Sequence, residues 1–171
     1  MSRTWRATKE IDQSDTGYPV NQVYIWALTS DNKIPIVSKN GKNWQLPGGK
    51  PHENESLLDT AMRELREETG VASQPYADNF DFIGYYEIVE DGADKKPYHY
   101  LQVRYALHLP LHSDTLPRAP LEEDNEQMAS EQIRFVKYVT PDTISEYIPW
   151  MKESAEVQAA LATLAAPLTQ Q

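Results

Sequence analysis

Three glutamates fall within one short run, Arg63-Glu64-Leu65-Arg66-Glu67-Glu68-Thr69-Gly70. On a helix, at about 100° per residue, Glu64, Glu67 and Glu68 share one sector of about 100°. That sector borders the apolar stripe made by Leu57, Leu58, Ala61, Met62 and Leu65. Such a helix should be unfavourable on its own. Glu64 and Glu68 are like charges four residues apart, and Glu67 and Glu68 sit in the last turn, where the helix dipole favours cations. Arg63 can pair with Glu67, which neutralises one of the three. A divalent cation would relieve all of these conflicts together. The alternative is a solvated charged face, and the residues upstream decide between the two.

Those residues run Gly49, five positions, Glu55, seven positions, then Arg63 through Gly70 and Val71. The pattern resembles the Nudix box, G-x5-E-x7-R-E-U-x-E-E-x-G-U, with Leu65 and Val71 at the two aliphatic places and Leu46-Pro47-Gly48 as lead-in. The resemblance implies an α/β class: an α/β/α sandwich with a mixed β-sheet and a loop-helix-loop box, spanning about residues 15–150. It implies hydrolysis of a pyrophosphate bond in a nucleoside diphosphate linked to another moiety, either a nucleoside triphosphate or a dinucleoside polyphosphate. It also assigns roles. Glu67 and Glu68 are the main metal ligands, Glu64 is a further ligand or the base, and the Gly48 carbonyl is a ligand. Glu55 reaches the metal through water, and Arg63 orients the glutamates. A base from a downstream loop is common in the family. Here the candidates are Glu122, Glu123, Glu126 and Glu131, with Glu126 favoured by its offset from Phe135. Mg²⁺ suits oxygen ligands and phosphates, with Mn²⁺ as an alternative. The chain has no cysteine and four histidines, so thiolate chemistry is excluded. A non-catalytic nucleotide sensor on the same fold is the rival reading. Sensors commonly lose box glutamates, and this chain keeps them all.

The elements that must hold this box are readable nearby. Residues 22–29 are apolar, β-branched or aromatic and predict a buried strand. A turn at Ser30-Asp31-Asn32 leads to a second strand, Lys33–Val37. Trp44–Leu46 is brief and stops at the breaker Pro47-Gly48-Gly49. The box helix runs from about Ser56 to Thr69, with Ser56 and Asp59 as a capping box and Gly70 at its end. Phe80–Glu90 and Tyr98–Leu109 read as two long strands. Residues 110–131 read as a long loop, and Gln132–Val139 as a last strand. Asp142–Ile148 and Lys152–Leu164 read as helical. A chain of 171 residues suits one domain.

On the substrate side, eight of the seventeen aromatics lie between Tyr76 and Tyr105. They read as strand core or as surfaces for stacking a base. Tyr100, Gln102 and Arg104 share one strand face, which is the better candidate for a cleft wall. Arg104 either grips phosphate or sits on the sheet surface. Lys39 meets a phosphate or belongs to a turn around Gly41. The net charge of −10 argues against gripping a long nucleic-acid backbone, but a small nucleotide can be bridged through a cation. No apolar run reaches the roughly 20 residues of a membrane span. Met1–Glu10 lacks the apolar core of a secretory signal, so the cytoplasm is the default expectation. A homodimer stays open.

Overall fold

Alternation along one strand organises the molecule. The computed structural model describes residues 1–11, 17–92, 96–121 and 132–166. In β2 (Val20–Leu28), Val23, Ile25 and Ala27 point to one buried layer and Trp26 to the other. Successive side chains of a strand face opposite ways, so a strand apolar at consecutive positions must be covered on both faces. β2 sits inside a five-stranded mixed sheet of order β1-β6-β7-β2-β5, formed with β1 (Ser2–Ala7), β5 (Gly48–Gly49), β6 (Phe80–Asp91) and β7 (Pro97–His108). It runs parallel to β7 and antiparallel to β5. A smaller sheet joins β3 (Ile34–Ser38) to β4 (Trp44–Gln45) and β8 (Phe135–Val139).

One face of the large sheet packs against α1 (Leu57–Thr69), through Ala61 and Leu65 against Val23, Ile25, Val103 and Leu107. The other packs against α2 (Ile144–Tyr147) and α3 (Ala155–Ala165), where Ala160 and Leu164 meet Trp26, Ile83 and Ala106. This is the α/β/α sandwich with a mixed sheet. None of the described helices is long and apolar enough to cross a membrane.

The box helix begins and ends as its residues require. The Ser56 hydroxyl accepts from the Asp59 amide at 3.0 Å, the exchange that satisfies a free N-terminal donor. Gly70 takes φ +77° and its amide donates to the Arg66 carbonyl. A Cβ there would stand 2.8 Å from Pro117 Cβ, so the helix end is also locked against the chain that follows β7.

Three elements differ from the expectation. β1 was not anticipated: its residues are mostly exposed, and backbone pairing with β6 holds it, from Ser2 opposite Val89 to Ala7 opposite Gly84. The turn at 30–32 does not close a hairpin but carries the chain from one sheet into the other. Gly48-Gly49, read as a breaker, pairs with β2 as a short strand.

That turn is fastened by Asp31, whose carboxylate accepts from the Ser113 amide (2.7 Å) and hydroxyl (2.6 Å). Burial pushes the Asp31 carboxyl up, but the two Ser113 bonds outweigh it and hold the group well below the usual carboxylate range. A group with a depressed folded pKa contributes stability above its unfolded pKa, and that stability is lost as pH falls through the folded value. Asp31→Asn should therefore lower the melting temperature at pH 7 by roughly 2–5 °C. In thermal melts taken at successively lower pH, the gap to wild type should close below the ordinary carboxylate pKa.

Candidate active site

Arg63 stands at the centre of the box. Its Nε and Nη2 grip Glu55 at 2.7 and 3.0 Å, its Nη1 reaches Glu64 at 2.8 Å and Glu67 at 3.0 Å, and Nη2 also donates to the Lys50 carbonyl. The expectation that Arg63 neutralises one glutamate is corrected: it binds three carboxylates. Glu55 sits on the loop before α1 and also accepts from the Thr60 hydroxyl and the His52 amide. The Arg63 hydrogen bonds lead in holding Glu55 down at about 2. Glu55 is thus a fixed anion that anchors the guanidinium.

Glu68 is treated differently. Arg63 does not reach it, and its carboxylate accepts from the Gly48 amide at 2.8 Å. Burial dominates and pushes its carboxyl up to about 8. Burial also raises Glu64, against the pull of Arg63. At Glu68, Lys39 pulls the other way without offsetting the burial, so this carboxyl is costly to ionise. Gly48 can approach because it lacks a side chain: at φ +157°, a Cβ would run into the Val23 carbonyl and the Tyr24 ring. A Cβ on Gly49 would lie against the Glu64 carboxylate.

Glu64, Glu67, Glu68, Gly48, Gly49 and Lys39 line one cavity of about 610 Å³. Its rim includes Leu121, whose amide donates to the Glu67 carbonyl, and Gln132. Among the described residues no three His, Asp or Glu side chains stand ready as a metal cage. The donor chemistry nonetheless fits a hard divalent cation: carboxylate oxygens, those of the partly buried Glu68 held by one backbone amide, beside the half-exposed Glu67. Glu67 and Glu68 would hold it, with Glu64 and the Gly48 backbone next to them.

The profile of the NUDIX domain matches residues 19–161. The chain belongs to the Nudix family. The mRNA-decapping protein g5R of African swine fever virus is 58% identical over 73 residues, covering 34% of this chain and 30% of that protein. The RNA pyrophosphohydrolase of Pelagibacter ubique is 37% identical over 71 residues, covering 40% of this chain and 45% of that one. The matched stretches span less than half the length of the curated relatives. The pyrophosphohydrolase BsRppH of Bacillus subtilis superposes with a TM-score of 0.61 at 15% identity, covering 95% of this chain and 90% of that one. The dihydroneopterin triphosphate pyrophosphohydrolase of E. coli gives 0.55 at 15%, covering 84% and 99%. At these identities the likeness establishes the Nudix fold.

The substrate candidates divide. Lys39 lies on the Nudix-box cavity beside Glu68. Arg104 does not: it is 2% exposed, and its Nε donates to Glu156 at 2.6 Å on the opposite side of the sheet. It neither sits on the sheet surface nor faces the box. Tyr100 donates to Glu90 at 2.8 Å, away from the cavity, and burial with Glu90 raises its phenol to about 12. Glu126, with Glu122, Glu123 and Glu131, lies outside the described residues. Sequence reasoning missed Glu156, a fully buried carboxylate that binds Arg104 and the Trp26 indole (2.9 Å). Its signal was helical spacing, since positions 156, 160 and 164 form the buried stripe of α3.

The charge on Glu68 costs the cation-free protein stability. Its folded pKa is raised, so stability is fully present below the ordinary carboxylate pKa and is lost as pH rises through about 8. Glu68→Gln should therefore melt no lower than wild type in chelator, with its advantage growing from pH 5 to pH 8. A lower melting temperature across that range would make Glu68 a structural residue. Gly49→Ala, by contrast, should displace Glu64 and weaken divalent-cation binding by about tenfold or more in calorimetric titration.

Proposed function

We propose that this Nudix protein hydrolyses a pyrophosphate bond in a nucleoside diphosphate linked to a second moiety, using Mg²⁺ with Mn²⁺ as substitute. The observation that carries the reading is Glu68: a partly buried carboxylate with one backbone amide partner, held beside Glu64 and Glu67 in a cavity large enough for a polyphosphate. When bound, a divalent cation neutralises phosphate oxygens and acidifies water for attack on phosphorus.

The chain's own residues supply position. Glu55 fixes Arg63, Arg63 fixes Glu64 and Glu67, and Gly48 fixes Glu68. Lys39 gives the cavity a cation for a phosphate oxygen. Glu126 is the proposed base. Leu121 and Gln132, on either side of the stretch that contains it, are at the cavity rim, which supports a base from that stretch. Two relatives, an mRNA-decapping protein and an RNA pyrophosphohydrolase, bring RNA into consideration as a substrate. The acidic surface of this chain favours a small nucleotide over a long backbone.

A panel of nucleoside triphosphates, dinucleoside polyphosphates and a short 5′-triphosphorylated RNA, scored for phosphate against pyrophosphate, decides the substrate. Turnover should vanish in chelator and return with Mg²⁺ or Mn²⁺; full activity in excess EDTA would sink the reading. Glu126→Gln should lower kcat by about tenfold or more with cation affinity unchanged, and Glu122→Gln should do neither. If Glu126→Gln matches wild type while Glu64→Gln is inactive, the base is Glu64.

A further inference from the structure

Tyr24 and Gln45 each line two cavities: the box cavity on one side and a smaller one, of about 250 Å³, on the other. The second cavity uses residues that the hydrolase reading leaves idle. Arg3 comes from β1, Gln102 and Arg104 from β7, and Trp150 from the turn before α3. A volume of this size lies below the usual range for a whole drug-sized ligand and suits a single ring system.

Its chemistry is specific. The Arg3 guanidinium lies between two aromatic faces, 3.6 Å from the Tyr86 ring centroid and 4.5 Å from that of Trp150. The Arg104 guanidinium is 4.5 Å from the Tyr24 centroid. Trp150 remains 46% exposed, a large ring left half open at the cavity's edge. Among the described lining residues there is no Asp or Glu. The nearby carboxylate is Glu156, fully buried, and it offsets one positive charge of the two. The cavity therefore presents aromatic faces, amide groups and an excess of guanidinium donors. The Gln45 and Gln102 amides can turn to donate or to accept, so the guanidinium sets the preference: it pairs with the O6 and N7 acceptors of guanine and offers nothing to accept from an exocyclic amino group.

We propose that this smaller cavity seats the base of the substrate, stacked at Trp150, and that Arg3, the exposed guanidinium of the two, makes it select a 6-oxopurine over a 6-aminopurine. The proposal rests on the hydrolase reading for the ligand being a nucleotide. Tyr24 and Gln45 are then the passage between base and polyphosphate, with the phosphates on the Glu68 side.

The test is calorimetric titration of the full chain with GMP and AMP, needing no turnover. Wild type should bind GMP more tightly than AMP by about tenfold, and Trp150→Ala and Arg3→Ala should each weaken GMP about fivefold or more. Thermal melts check that each variant is folded. Trp150, on an exposed turn, keeps the test valid if Arg3→Ala is not. Equal affinity for GMP and AMP in wild type, or wild-type GMP affinity in folded Trp150→Ala, overturns the base site. GMP selectivity without cleavage of any nucleotide sinks the hydrolase reading and leaves the base site standing. Cleavage of GTP and ATP with equal KM, unchanged in Trp150→Ala, does the reverse.

Discussion

One guanidinium shared by three carboxylates is the constraint around which this molecule is arranged. Arg63 is the single cation that Glu55, Glu64 and Glu67 hold in common. A planar fork with five donors can serve several acceptors without moving, so the box helix carries its acidic cluster in a defined shape. The sharing also creates an asymmetry. One guanidinium leaves these three acids two charges short, and the fourth, Glu68, lies beyond its reach with a backbone amide as hydrogen-bond partner and Lys39 nearby. The electrostatic deficit is held along one side of the helix, at Glu64, Glu67 and Glu68, where it faces the cavity.

Glycine is what permits that arrangement. Gly48 brings a strand amide to Glu68 while its neighbour leaves room for Glu64. The short strand β5 is thus both a rung of the sheet on β2 and the floor of the site. The same β2 presents Tyr24 toward Arg104, so one ring lines both cavities.

The parts of this protein legible in its sequence are those specified locally. The cap at Ser56, the stripe through Ala61 and Leu65 and the stop at Gly70 lie within one helix, and all three are found as read. Gly48, Lys39 and the helix glutamates Glu64, Glu67 and Glu68 meet in one cavity because a strand and helix adjacent in sequence pack together. What was not legible depends on distant chain. Alternation along β7 puts Arg104 on a polar face, and polar faces usually meet water. Here α3 covers that face and supplies Glu156 as counter-ion. β1 carries almost no burial signal, since most of its residues are exposed and it is held by backbone hydrogen bonds to β6 with contacts from Arg3 and Trp5 alone. The reach of Arg63 back to Glu55 depends on a loop conformation that spacing does not encode.

The buried Glu156 has a consequence for how the chain becomes ordered. Its partners Arg3, Trp26 and Arg104 are drawn from β1, β2 and β7, and the carboxylate that completes them comes from α3. Arg104 and its carboxylate stand 52 residues apart in the sequence, so the enclosed charge is met only where α3 lies on the sheet. An enclosed guanidinium stripped of its carboxylate is strongly unfavourable. Docking of α3 is thereby tied to the charge state of the sheet's interior and not to apolar contact alone.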